Sequence, residues 1–116
     1  MSVGTLSVRT GDGTSGAPVE TVLNPRGSCL IGRSISADML IDDARVSRRH
    51  LLIEPEEHGW RIRDVSSNGS WHNGARVDAG GLLVDRTGTV RIFLGDPLGP
   101  EVAITYQAPR AADPVA

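Results

Sequence analysis

"WRIRDVSSNGSWHNGARV", residues 60–77, decides the fold of this chain. Its first part alternates: Trp60 and Ile62 fall on one face, Arg61 and Arg63 on the other. That period of two marks a half-buried β-strand, because successive side chains of a strand point to opposite faces. "SSNG" (66–69) then breaks the pattern with a turn signal. "SWH" (70–72) and "ARV" (75–77) follow as short β-like runs separated by Asn73-Gly74. This pair is the strongest hairpin signal in the chain, since a type I′ turn needs positive φ at both central residues.

The same reading extends outward in both directions. Short apolar or alternating runs recur at 5–9, 19–23, 28–33, 38–41, 50–54, 81–84, 89–94 and 102–106, which with the three above make eleven. In "VRIFL", Val90, Ile92 and Leu94 share one face. Turn-forming clusters such as "GDGTSG", "NPRG", "PEEHG", "DRTG" and "GDPLGP" separate the runs. No window of ten or more residues has helical periodicity, and no repeat of 20–50 residues is visible. The expected fold is all-β, a sandwich of two antiparallel or mixed sheets.

A chain of 116 residues suits one domain, and its 14 glycines and 7 prolines suit a turn-rich one. The compact part is expected over residues 1–107, with the Ala/Pro-rich residues 108–116 a flexible tail or linker. "MSVGTLSVRT" lacks the pattern of a signal peptide, and no apolar run approaches membrane-spanning length. The single cysteine, Cys29, allows no internal disulfide and reads as a small buried hydrophobe, which leans towards a cytosolic setting.

The net charge of −2 argues against a general nucleic-acid surface, so basic charge must act locally. It concentrates in "DARVSRRHLLIE", residues 43–54, where three arginines and a histidine precede an apolar strand. Arg33, which ends the run "CLIGR", adds another; a guanidinium can grip two phosphate oxygens at once. Each of these is, taken singly, an ordinary solvated arginine. Ser47 offers a hydroxyl, and Asn68 offers both a donor and an acceptor, which fits an extended peptide backbone. Gly69 permits positive φ and close approach. Asp64 is expected to cap its loop by accepting backbone N–H bonds.

Other chemistries fit poorly. Ser47 and His50 could be a nucleophile and its base, but no acid partner or G-x-S-x-G motif accompanies them. His50, opening an apolar strand, reads better as a buried imidazole that ties loop backbone together. His50, His58 and His72 lack paired metal-ligand spacing, and "GDGTSG" lacks the G-K-[ST] of a nucleotide-binding loop. No metal and no cofactor are expected.

Read in order, "GR" (32–33), "SRRH" (47–50), "SSNG" (66–69) and "NG" (73–74) resemble the forkhead-associated (FHA) domain. The resemblance covers roughly residues 5–107. It implies an eleven-stranded β-sandwich that binds phosphothreonine peptides through loops at one end and is not an enzyme. Carried over by motif, Arg33 and Ser47 hold the phosphate, with Arg48 close by. Ser67 contacts the phosphate or the threonine, and Asn68 bonds the peptide main chain. Arg45, two residues before Ser47, reads a downstream side chain of the peptide. Gly32, His50, Gly69 and Asn73 shape the site. The family often has threonine where Ser67 and Ser70 stand. The implied partner is a phosphothreonine-containing protein, with a Ser/Thr kinase upstream, no nucleic acid and no direct membrane contact. The last strand and tail are similar to FHA domains that open actinobacterial ABC transporters, which would make this a cytosolic part of a membrane protein. The alternative is a phosphate-independent interaction module.

Overall fold

The computed structural model describes residues 4–10, 19–23 and 27–108. Among these are eleven strands: β1 (Thr5–Thr10), β2 (Val19–Leu23), β3 (Cys29–Gly32), β4 (Met39–Leu40), β5 (Leu51–Pro55), β6 (Trp60–Asp64), β7 (Ser70–His72), β8 (Ala75–Arg76), β9 (Leu82–Val84), β10 (Gly88–Leu94) and β11 (Glu101–Gln107). Every expected run is a strand, with ends displaced by at most one residue. Residues 11–16, expected as a hairpin loop, and 109–116 of the expected tail lie outside the described residues.

The strands form two sheets, ordered β2-β1-β11-β10-β7-β8 and β4-β3-β5-β6-β9. The second is mixed, because β4 runs parallel to β3, with Ile31 opposite Met39 and Gly32 opposite Leu40. Parallel neighbours usually need a long crossover. Here the chain doubles back within six residues because Asp38 staples it: Leu30 N–H donates to its carboxylate (2.8 Å), and Asp38 N–H returns to Leu30 O (2.8 Å).

The core follows from the period of two. Leu6 and Val8, Leu51 and Ile53, Trp60 and Ile62, Ile92 and Leu94, and Val102 and Ile104 are all fully buried between the sheets. Burying each such aliphatic side chain contributes roughly 1.5–3 kcal/mol. The two large polar-tipped aromatics are satisfied at their tips. Trp60 Nε1–H donates to Gly4 O (3.1 Å), and Tyr106 Oη accepts from Gly4 N–H (3.0 Å). Cys29 is buried and free, and burial, helped by Asp38, pushes its thiol pKa up to about 11.

Asn73 (φ 53°) and Gly74 (φ 79°) make the expected tight turn between β7 and β8. Four other connections, β3–β4, β4–β5, β6–β7 and β10–β11, meet at one end of the sandwich. Backbone bonds link them: Arg33 N–H to Ser47 O (2.9 Å), Val65 N–H to His50 O (2.9 Å) and Gly95 N–H to Gly69 O (2.8 Å).

Candidate functional site

The site begins where β3 ends. Gly32 is buried, and a Cβ there would collide with the backbone carbonyl of Arg48, so only glycine lets the β4–β5 loop lie this close. The approach is sealed by Arg33 N–H to Ser47 O (2.9 Å) and Ser34 N–H to Arg48 O (3.2 Å). Arg33 Nε donates to Val46 O at 2.8 Å. That bond fixes the plane of the guanidinium and leaves its terminal NH₂ groups for a ligand.

His50 lies directly beneath, with no solvent exposure. Ser47 N–H donates to Nδ1 (2.9 Å), so the proton of the neutral ring sits on Nε2, which donates to Gly69 O (2.8 Å). One imidazole thereby joins the β4–β5 loop to the β6–β7 loop. Burial lowers its pKa, outweighing the opposing effects of the Gly69 carbonyl and Asp64. Both ring nitrogens are engaged by backbone, and neither takes a proton from the Ser47 hydroxyl. The pair is a brace, not a nucleophile with its base.

The β6–β7 loop is ordered from Asp64. Its Oδ1 accepts from Ser66 N–H (3.2 Å), Ser66 Oγ–H (2.5 Å) and the buried Ser70 Oγ–H (2.9 Å). Ser66 Oγ in turn accepts from Gly69 N–H (2.7 Å). Gly69 has φ 98°, where a side chain would be strained. This winding presents Ser67 and Asn68 outward. Ser67 N–H donates to Ser47 Oγ (3.1 Å), which leaves the Ser47 hydroxyl proton free to donate to a ligand oxygen. Asn68 Nδ2 donates to Arg45 O (3.2 Å), so its amide oxygen and second N–H remain for a peptide backbone.

These elements enclose a pocket of about 450 Å³ whose lining includes Arg33, Ser47, Arg48, Arg49, Ser67 and Asn68. No acidic side chain lines it. None of the ion pairs among the described residues involves Arg33, Arg48 or Arg49. Three arginines thus line one concavity in a chain of net charge −2. Such a lining is chemically suited to a compact, multiply charged anion with several acceptor oxygens.

Five of the six expected binding residues therefore come together: Arg33, Ser47, Arg48, Ser67 and Asn68. Arg45 stands apart. Its Nε and Nη2 grip both oxygens of Asp43 (3.0 Å each), and Nη1 leans towards Leu98 O (3.4 Å). The bond to Arg45 is the main reason the Asp43 carboxyl sits below its usual pKa. Gly32, His50 and Gly69 hold the surrounding loops together without lining the pocket, and Asn73 sits in the β7–β8 turn, also outside its lining. Arg49 lines the pocket and was not among the expected contacts. Its signal lay in "SRRH", where two adjacent arginines on an irregular loop need not point to opposite faces as they would in a strand. Among the described residues, no group of three or more His, Cys, Asp or Glu could hold a metal ion.

Residues 29–92 match the family model of the FHA domain. The ABC transporter ATP-binding/permease protein Rv1747 of Mycobacterium tuberculosis is 45% identical over 56 residues, 47% of this chain and 6% of that protein. The chain thus spans a small fraction of this relative's length. The crystal structure of the Rv1747 FHA-1 domain from M. tuberculosis superposes with a TM-score of 0.73 at 27% identity, over 89% of this chain and 96% of that one. A further solved structure comes from work on phosphothreonine-dependent FHA domain interactions. It gives a TM-score of 0.70 at 28% identity, over 89% of this chain and 97% of that one.

Proposed function

The chain belongs to the FHA family, and from that premise we propose that it binds phosphothreonine-containing segments of partner proteins without catalysing a reaction on them. The observation that carries this reading is the acid-free pocket lined by Arg33, Arg48 and Arg49. A phosphothreonine brings a charge of about −1.5 to −2 and three strong acceptor oxygens. Arg33, its guanidinium plane set by Val46 O, supplies a fork to two of them. Arg48 adds charge, and the free proton of the Ser47 hydroxyl donates to a third. Asn68, anchored on Arg45 O, spends its remaining amide groups on the peptide main chain. Ser67, which lines the same pocket, contacts the phosphate or the threonine.

The braced loops support tight binding for its size. Their ordering cost is met on folding rather than on association. Charge-assisted hydrogen bonds contribute roughly 1.5–3 kcal/mol each, so two or three of them are a large share of a micromolar affinity, about −8 kcal/mol. The non-catalytic part of the reading is supported by His50, whose two nitrogens are occupied by Ser47 N–H and Gly69 O.

Likeness to the mycobacterial transporter supports our further proposal that the domain, over residues 1–107, is the phosphorylation-reading part of a transport protein. In that setting it acts on the cytosolic side, downstream of a Ser/Thr kinase. An oriented library of phosphothreonine peptides, and the same library treated with phosphatase, tests the binding reading. Retention confined to the phosphorylated library is expected. Equal retention of both would favour a phosphate-independent docking module.

A further inference from the structure

Two aliphatic side chains stand almost wholly in water on two of the loops that meet at the pocket's end of the sandwich. Ile35 is 94% exposed and Leu98 85%, against 66% or less for the other exposed large hydrophobics among the described residues. Single exposed hydrophobics are common and need no explanation. These two differ in how they are held and in where they sit.

Each rides on a hydrogen-bonded turn. In the β3–β4 loop, Ser34 Oγ accepts from Ser36 N–H (3.1 Å), the two serine hydroxyls bond at 2.8 Å, and Ala37 N–H closes on Ser34 O (2.9 Å). Ile35 sits at the tip of this turn, two residues from Arg33 and so at most about 7 Å of chain from it. In the β10–β11 loop, Leu98 N–H donates to Asp96 Oδ1 (2.8 Å), and Gly99 N–H closes on Asp96 O (2.8 Å). That turn is linked to the β6–β7 loop through Arg45, whose Nη1 donates to Leu98 O (3.4 Å) and whose own carbonyl accepts from Asn68 Nδ2 (3.2 Å). Gly95 N–H adds a bond to Gly69 O (2.8 Å).

Ile35 and Leu98 thus stand on turns tied to the loops that carry the anion pocket. We propose that they are specificity residues which read apolar side chains on both sides of the phosphothreonine, so that the partner segment carries an aliphatic or aromatic residue on each flank. This rests on the phosphothreonine reading and names the class of peptide that the same site prefers. The turns are already ordered, so packing against them removes apolar surface from water with little loss of loop entropy. The phosphate contacts cannot supply this discrimination, because every phosphothreonine presents the same group to them.

The test uses two phosphothreonine peptides of equal length and charge. One has leucine at the second and third positions on either side of the phosphothreonine, the other serine at the same positions. Each is titrated into the wild-type chain and into Ile35→Ser, Leu98→Ser and the double variant. Both positions are exposed, so folding should be unaffected, which a thermal melt checks. The wild type is expected to bind the leucine-flanked peptide roughly tenfold more tightly, the size of effect that partial burial of two aliphatic side chains gives. Each single variant should reduce that preference, and the double variant should abolish it while leaving affinity for the serine-flanked peptide unchanged. Equal affinity of the wild type for both phosphopeptides overturns the proposal and leaves the phosphothreonine reading intact. So does a preference that survives in the double variant. If neither peptide binds better than its unphosphorylated form, the phosphothreonine reading fails and the proposal falls with it.

Discussion

Replacing His50 with alanine should loosen the site through the fold. The imidazole is fully buried, accepts from Ser47 N–H at 2.9 Å and donates to Gly69 O at 2.8 Å. Alanine strands the Ser47 N–H, at a cost of roughly 1–3 kcal/mol for an unsatisfied buried donor. Gly69 O suffers less, because it keeps its bond from Gly95 N–H (2.8 Å). The emptied ring volume adds about 2 kcal/mol, the low end for large-to-small changes in a core. The total is about 3–5 kcal/mol, a large part of the roughly 5–15 kcal/mol that stabilises a domain. Urea unfolding followed by tryptophan emission, with Trp60 buried in the core, reads this directly. The midpoint should fall with an unchanged slope. Phosphopeptide affinity should weaken as well, because Ser47 loses its anchor. A loss of stability below about 1 kcal/mol would refute the bracing role, given the costs above. Unchanged stability with abolished binding would make His50 a direct ligand contact instead.

The same histidine makes stability depend on pH. Burial lowers its pKa in the folded state, while the unfolded chain titrates near the ordinary value of about 6.5. Above that value both states hold a neutral ring, and the full stability is present. Below it the unfolded chain takes up a proton that the folded ring resists, so stability falls with a slope of up to about 1.4 kcal/mol per pH unit. The loss ends once the pH drops through the folded pKa, and a pH series of unfolding curves should lose this component in His50→Ala. Gly32→Ala should destabilise the domain and displace the β4–β5 loop, seen as a lower melting temperature and weaker phosphopeptide binding, because the new methyl meets Arg48 O. Asp43→Asn releases Arg45 from its ion pair. Its melting temperature should stay near that of the wild type, and its affinity should rise for peptides carrying an acidic residue downstream of the phosphothreonine, an effect that salt screens. Cys29, 1% exposed with its pKa pushed up to about 11, should react with a thiol reagent only when the domain unfolds, so its labelling rate should track denaturant.

The strands were legible because their signal is local. Trp60 and Ile62 are buried, and Arg63 is exposed, as the period of two requires. Asn73 and Gly74 both take positive φ, as a two-residue turn demands. The order of the strands was not legible, since it depends on contacts between distant parts of the chain: β1 pairs with β11, so Leu6 faces Tyr106. The parallel β3–β4 pair was hidden for a related reason. It depends on Asp38 acting as a staple to Leu30, a role that its residue type alone does not announce. In the candidate site, the ordered motifs pointed to Arg33, Ser47 and Asn68, which the fold brings to one pocket. The partners that orient them, Val46 O, Ser67 N–H and Arg45 O, are backbone groups, which carry no signature in the residue string. Arg45 shows the limit of residue type most clearly, because a charge suited to a ligand is taken up by Asp43 two positions away.

The phosphate reading turns most directly on Arg33. Calorimetric titration should compare one peptide in its phosphothreonine and unphosphorylated forms, against the wild type and Arg33→Ala, at matched salt. The wild type should bind the phosphothreonine form alone. Arg33→Ala should lose thirtyfold or more, about 2–4 kcal/mol, the cost of truncating one member of a hydrogen-bonded charge pair. Arg33→Lys should recover only part of the loss, since an ammonium cannot reproduce the fork. A folded Arg33→Ala variant that binds the phosphopeptide as tightly as the wild type, or a wild type that binds the unphosphorylated form equally well, would contradict phosphate recognition at this pocket.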